Sequence, residues 1–117
     1  MDEKLVGCLQ YYANVHGEEI VIGEYRLILI TGFMEYVDGL KEQADGVRRA
    51  ILTVNSLNKP ITVKSLMTVS NYMEADGKEE QALGVRRAIL TSIVGLDNAR
   101  FKEYKQLHGL STAPKPI

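Results

Sequence analysis

The sequence predicts an all-α fold: one bundle of about six helices, built from tandem helical hairpins of about 39 residues. Two observations predict it. The octapeptide GVRRAILT at 46–53 returns unchanged at 84–91. In and around these copies, apolar residues recur at the spacing of a helix face. A period of 38 or 39 residues is typical of repeated helical hairpins.

The matching segment is longer than the octapeptide. EQADGVRRAILT (42–53) aligns with EQALGVRRAILT (80–91). Upstream, GFMEYVDG (32–39) resembles NYMEADG (71–77) with one residue dropped. So much identity at one offset indicates tandem duplication.

Weaker matches outside these segments extend the pattern to the whole chain, which at 117 residues is long enough for one domain. We expect a single helical domain over 1–109, divided into units 1–39, 40–78 and 79–109. The last residues, 110–117, include two prolines and are expected to form a flexible C-terminal tail.

The first unit contains an ambiguous segment, EEIVIGEYRLILIT at 18–31. Its β-branched residues favour a β-hairpin with Gly23 and Glu24 at the turn. The corresponding segments of the other units have helical patterns. We therefore expect a helix from Glu24 to Tyr36.

The second unit has two predicted helices. The first has one apolar stripe, formed by Gln43, Val47, Ala50, Ile51 and Val54. The second begins at Thr62, a residue type that commonly caps helices, and stops before Asp76 and Gly77. Its apolar residues are Val63, Leu66, Met67, Val69 and Tyr72.

Each octapeptide contains a glycine with an alanine four residues later. Glycine inside a helix costs ~1 kcal/mol relative to alanine, so its presence in both copies suggests a packing role. Small residues one turn apart let a second helix approach closely. We expect close helix packing at Gly46, Ala50, Gly84 and Ala88. The alternative is a helix that starts at Gly46, after a turn.

Two adjacent arginines follow each glycine. One interpretation is that they are solvated and form surface ion pairs, such as Arg49 with Asp45. The alternative is that the four arginines bind an anion, a nucleotide or a nucleic acid. No phosphate loop of the Walker type accompanies them. The candidate anion-binding residues are Arg48, Arg49, Arg86 and Arg87.

The last octapeptide helix has apolar residues on both sides. Where the earlier copy has Asp45, Arg49, Leu52 and Ser56, this one has Leu83, Arg87, Leu90 and Val94. A helix that is apolar all round is normally buried. It is therefore either the central helix of the bundle or covered by another chain, and its second face is a candidate interface.

The charge is uneven but mild. Residues 1–39 have two basic and seven acidic residues, whereas 40–78 and 79–117 each have a net charge of +2. This is too weak to indicate a nucleic-acid binder. A helix-turn-helix at 55–73 is a further alternative. Its second helix would present Lys64, Ser65, Thr68 and Asn71 to the bases.

The residues suited to metal binding or catalysis are few. Cys8 cannot form an intrachain disulfide, since it is the one cysteine. Together with His16 and His108 it has no metal-binding spacing, so we expect no metal, no cofactor and no catalytic residues. Glu42 and Glu80 occupy helix N-termini, where carboxylates are common.

These observations predict a small non-enzymatic protein–protein interaction or regulatory module. We expect it to be cytoplasmic and to form a homodimer that binds a further protein. No apolar segment approaches the length of a membrane span, so no membrane partner is expected.

Overall fold

The computed structural model describes residues 19–94, with Val94 as backbone only, and before them Gly7, Leu9, Asn14 and Gly17. The described chain folds as an all-helical bundle, without a β-strand in that part. Its helices are α1 (Glu24–Tyr36), α2 (Lys41–Ser56), α3 (Val63–Ala75) and α4 (Glu79–Val94). None of the described helices is long and apolar enough to cross a membrane.

The expectation of about six helices in tandem repeats is not confirmed, because residues 24–94 contain four. Gly7, Leu9 and Asn14 are also helical, and Leu9 is buried in the core. The predicted tail at 110–117 lies outside the described residues.

The predicted helix in the ambiguous first segment is confirmed, with the expected bounds. The strand-forming residues before it are extended, but they do not pair with the residues that follow. Instead, Ile22 N donates to Ile61 O at 2.8 Å and Val63 N donates to Ile20 O at 3.1 Å. This short antiparallel bridge joins the segments that lead into α1 and α3. The hairpin alternative is therefore wrong.

Helix α2 has the predicted apolar stripe, and its five expected residues are all buried. The alternative start at Gly46 is wrong, since α2 begins at Lys41 and Gly46 lies one turn inside it. After α2 the chain turns at Asn58, which has a left-handed backbone conformation with φ 55°.

Helix α3 begins as predicted, with Thr62 as the N-cap. The Thr62 hydroxyl accepts a hydrogen bond from Ser65 N at 3.0 Å, and Ser65 Oγ accepts one from Thr62 N at 2.9 Å. The helix ends at Ala75 with Asp76 as its C-cap, followed by Gly77 at φ +80°. Of the apolar residues predicted along this helix, Val63, Leu66 and Val69 are buried, whereas the Tyr72 side chain is exposed.

Helix α4 packs against α1, α2 and α3, and α2 likewise contacts the other three described helices. Its residues Val85, Ala88 and Ile89 lie in the core, where each large apolar side chain contributes about 1.5–3 kcal/mol. Leu83 and Leu90 are half-buried and pack against the same core. The second apolar face is thus partly covered within the chain.

Candidate functional site

The octapeptide helices α2 and α4 cross in direct contact at their glycines. A Cβ on Gly46 would lie 2.6 Å from the Cα of Gln81, and a Cβ on Gly84 would lie 2.6 Å from the Cα of Gln43. These distances are shorter than contacts between non-bonded carbon atoms in folded proteins, so only glycine fits at either position. Ala50 and Ala88 are fully buried one turn later.

Two glutamines join the crossing helices through reciprocal hydrogen bonds. The Gln81 side chain donates to Glu42 at 2.7 Å and accepts from Arg49 at 3.2 Å. On the other side, the Gln43 side chain donates to Glu80 at 3.0 Å and accepts from Arg87 at 3.1 Å.

A glutamine amide can donate and accept at once, so each one connects a carboxylate and a guanidinium of the opposite helix. The two halves of this contact use equivalent repeat positions, as in an interface with twofold symmetry.

The first arginine of each octapeptide pairs with a glutamate of the preceding helix. Arg48 lies 2.6 Å from Glu35 on α1, and Arg86 lies 2.8 Å from Glu74 on α3. Arg86 is buried and also donates to the Ser70 hydroxyl at 3.1 Å and to the Asn71 side chain at 2.7 Å. Each ion pair fixes one helix of a hairpin against the other.

Asp45 lies between two cations. It accepts hydrogen bonds from Lys41 at 3.2 Å and from Arg48 at 3.0 Å. The bond from Lys41 is the main reason that the pKa of Asp45 is below its usual value. Burial lowers the pKa of Arg48, but the interactions with Glu35 and Asp45 outweigh it and raise that pKa overall. The expected pair of Arg49 with Asp45 is wrong, because Arg49 reaches Gln81 instead.

All four candidate anion-binding arginines therefore have hydrogen-bond or ion-pair partners within the chain. Those of α2 and those of α4 do not converge on one open surface: Arg86 is buried, while Arg49 and Arg87 extend across the helix crossing to opposite glutamines. The described contacts give the repeated arginines a role in packing.

A different surface has the form of a binding site. An open groove of about 470 Å³ lies between the C-terminal part of α2 and the outer face of α3. Val54 and Val69 form its buried floor, and Leu57 and Tyr72 stand at its edges with 58% and 70% of their surfaces exposed. The other residues along it are Glu19, Thr53, Lys59, Pro60, Thr62, Lys64, Ser65 and Thr68.

The serine and threonine hydroxyls in the groove already have partners. Thr53 Oγ1 donates to Arg49 O and Thr68 Oγ1 donates to Lys64 O, each bond within one helix. Thr62 and Ser65 form the cap of α3. Because these donors are engaged, the groove offers an occupant mainly apolar surface.

The charged groups of the groove lie near its Thr62 end. Lys64 is 3.7 Å from Glu19, and both side chains are largely exposed, so this ion pair contributes little. No hydrogen bond or ion pair joins the Lys59 ammonium to another described residue. These two lysines give this end of the groove a positive charge.

The predicted interface is divided between different environments. Leu83 and Leu90 are half-buried against the core, Arg87 is exposed, and the Val94 side chain lies outside the described residues. Larger exposure occurs on α1, where Tyr25, Ile28 and Tyr36 are each more than half exposed. Their spacing places all three on one face of that helix.

The described residues contain no cluster of three or more potential metal ligands. Cys8, His16 and His108 lie outside the described part of the chain. Glu42 and Glu80 are engaged by the two glutamines, as described above. Among the residues considered for chemistry, none forms a catalytic constellation in the described structure.

Fold and site together define a small helical bundle, over the part of the chain that the structure describes, with an apolar groove on its surface. No family model, no curated protein and no solved structure matches the chain.

Sequence reasoning missed the groove, because its walls come from three different local structures. Leu57 lies just after α2, Pro60 lies in the turn, and Tyr72 lies on the outer face of α3. The signal in the sequence was Leu57, an apolar residue beside Asn58, Lys59 and Pro60 in a predicted turn. An apolar residue in such a turn is not expected to be buried in the core, so it is a candidate for contact with a partner.

Proposed function

We propose that this protein is a non-enzymatic interaction module that docks an apolar segment of a partner protein in the groove between α2 and α3. The groove itself supports this proposal. Its volume lies in the range of ligand sites, its walls are mainly apolar, and two large side chains are exposed along it. Aromatic residues in such positions often contribute most of the energy of a protein interface.

The test is a selection of peptides of about 16 residues, longer than the ~15 Å face of α3 requires. A random display library is selected against the full chain, and the enriched peptides are measured on the Leu57→Asp/Tyr72→Asp variant. Each substitution places a charge on apolar binding surface, so we expect affinity to fall by about tenfold or more. Because both residues are exposed, circular dichroism and thermal unfolding should remain close to those of the parent.

The matched control is Leu52→Asp, which changes an equally exposed leucine of α2 that does not line the groove. Peptides should bind this variant as tightly as the parent. If selection enriches no peptide, or if the peptides bind the double variant unchanged, the docking function is wrong.

A homodimer is a second candidate, supported by the exposed apolar face of α1. Tyr25, Ile28 and Tyr36 form a surface of the kind that marks self-association or partner binding. The half-buried Leu83 and Leu90 support a dimer less well, because they pack against their own core.

We expect the purified protein to have the mass of a dimer at micromolar concentration, as measured by size-exclusion chromatography with light scattering. Ile28→Glu should give a folded monomer, since the charge would lie in the dimer interface. Leu90→Glu should instead lower the unfolding temperature, since Leu90 contacts the core. A parent that remains monomeric, or a dimer insensitive to Ile28→Glu, would contradict this interface.

We also infer that the chain contains a duplicated hairpin, with α1–α2 and α3–α4 as the two copies. The helix lengths support this, since both copies have 13 and then 16 residues. The equivalent ion pairs within each hairpin and the reciprocal glutamine contacts between them support it further. The predicted three-unit scheme also requires a helix early in unit 1–39, where Gly7, Leu9 and Asn14 are helical, and one late in unit 79–109, outside the described residues. The scheme as a whole remains a prediction.

Anion or nucleic-acid binding by the repeated arginines is the weaker proposal. Glu35, Asp45 and Glu74 lie beside Arg48 and Arg86 and would oppose a bound phosphate. The helix-turn-helix alternative is weaker as well. Its Asn71 accepts a hydrogen bond from Arg86, and its Ser65 is part of the α3 cap.

A further inference from the structure

We propose that the occupant of the groove is an amphipathic helix with acidic residues at the end that meets Lys59 and Lys64. This inference rests on the proposed docking function. It specifies the chemistry of the partner from the length, hydrogen-bonding capacity and charge of the groove.

The length of the groove suits a short helix. Its α3 wall runs from Thr62 to Tyr72, ten residues apart, which is about 15 Å along a helix axis. A partner helix would span that distance with about ten residues, or nearly three turns. Apolar side chains at three- and four-residue spacing would then contact the floor at Val54 and Val69.

The hydrogen-bonding state of the groove favours a helix over an extended peptide. The parts of the walls that α2 and α3 form are helix backbones that satisfy their own hydrogen bonds, and the serine and threonine hydroxyls of the groove are engaged within the chain. An extended segment lying on these walls would bury backbone N–H and C=O groups without partners, which is costly. A helix satisfies these groups internally and presents only side chains.

The charge of the groove determines which end of the partner helix lies beside Lys59 and Lys64. Lys59 has no charged partner among the described residues, and Lys64 has only a long, exposed contact with Glu19. At the opposite end, Tyr72 provides an apolar edge. Acidic residues of the partner are complementary to the lysine end, and their contribution should fall as salt rises.

Parallel selections from the same random peptide library test this inference. One target is the full chain, and the other is the full-length Lys59→Glu/Lys64→Glu variant. Peptides selected on the parent should combine apolar residues at helical spacing with an excess of Asp and Glu at one flank. The variant should select an excess of Lys and Arg. Each set should prefer its own target by about tenfold at low salt, and by less at high salt.

The helical state of the occupant is tested separately. A proline placed in the middle of a selected peptide should abolish binding, because it breaks a helix at a cost of about 3 kcal/mol. A selected peptide that tolerates this proline would overturn the helical occupant.

The outcomes distinguish a failure of the acidic-helix inference from a failure of the proposed docking function. If both targets select peptides of the same charge, and these peptides still lose binding to the Leu57→Asp/Tyr72→Asp variant, the acidic partner is wrong while the docking groove stands. If no selected peptide depends on Leu57 and Tyr72, the docking function fails, and the partner inference fails with it.

Discussion

Replacing Gly46 with alanine is expected to destabilise the protein by about 2 kcal/mol or more, although alanine is the better helix former. The substitution gains up to ~1 kcal/mol of intrinsic helix preference. Against this, the new Cβ would lie 2.6 Å from the Cα of Gln81. The obstacle is the backbone of α4 rather than the end of a flexible side chain, so one helix must move away from the other.

That movement would extend beyond the new methyl group. Separating α2 from α4 lengthens the hydrogen bonds of Gln43 and Gln81, and it loosens the buried contacts of Ala50 and Ala88. Protein interiors are close-packed, so the lost contacts are not replaced by small adjustments elsewhere. The equivalent change, Gly84→Ala, should cost a similar amount, because its Cβ would meet Gln43 in the same way.

Chemical denaturation followed by circular dichroism measures these effects. The control is Gly7→Ala, since Gly7 is helical and exposed and its added Cβ would meet no atom within 4 Å. This control should be neutral or slightly stabilising. The double variant should be destabilised by less than the sum of the two single variants, because helices already separated for one methyl group accommodate the second. An increase in stability for Gly46→Ala would contradict the close crossing.

The sequence predicted the helical class and several helix bounds, because local signals determine them. The start of α3 follows from Thr62, whose hydroxyl can cap a helix, and the end of α3 follows from Gly77. The buried stripe of α2 follows from spacing alone. The segment 18–31 was ambiguous because its first residues do favour an extended state. Their pairing partner, 61–63, lies far along the chain, where no local pattern reveals it.

The role of the octapeptide could be predicted only in part. A glycine retained inside two helices indicated a packing role, but it did not identify the backbone that lies against it. The glutamine links depend on the crossing of α2 and α4, so their contacts follow from the tertiary structure. The partners of the first arginines were present in the repeated segments, as Glu35 and Glu74. The predicted repeat units began at residues 40 and 79, so each glutamate was assigned to one unit and its arginine to the next. The pairing was therefore not considered.

The groove could not be predicted from the pattern, because apolar periodicity identifies residues that face a core. Tyr72 fits the apolar spacing of α3, yet it is 70% exposed because no described helix covers that side. Spacing alone therefore does not separate a core residue from a binding residue. The difference depends on which neighbours the fold supplies.

Glu74→Ala is expected to destabilise the protein by about 2–3 kcal/mol, because it removes a carboxylate that pairs with the buried guanidinium of Arg86. The two partners of this ion pair differ in exposure: the Arg86 side chain is 5% exposed and that of Glu74 is 40% exposed. Removing one partner of a fully buried pair typically costs about 3–5 kcal/mol, and the exposure of Glu74 reduces this figure. The bonds from Arg86 to Ser70 and Asn71 do not neutralise its charge.

Arg86→Met should cost far less, within about 1 kcal/mol, although it removes the same ion pair. Methionine has a similar length and fills an irregular apolar space, and Glu74 can be hydrated at its exposed position. Ser70 still donates its hydroxyl proton to Met67 O at 2.7 Å. Comparing the free energies of unfolding of these two variants separates the cost of an unpaired buried charge from the stability that the ion pair itself contributes. Equal losses would show that the pair itself provides the stability.

The equivalent pair in the first hairpin should show the opposite order. There the carboxylate is the more buried partner, since the Glu35 side chain is 15% exposed and that of Arg48 is 42% exposed. Arg48→Ala would leave a largely buried carboxylate without its cation and should cost more than Glu35→Met. In that second variant Arg48 remains hydrated and keeps Asp45. If burial of charge governs both pairs, the costly deletion must be the exposed partner in each hairpin: the acid in one and the base in the other.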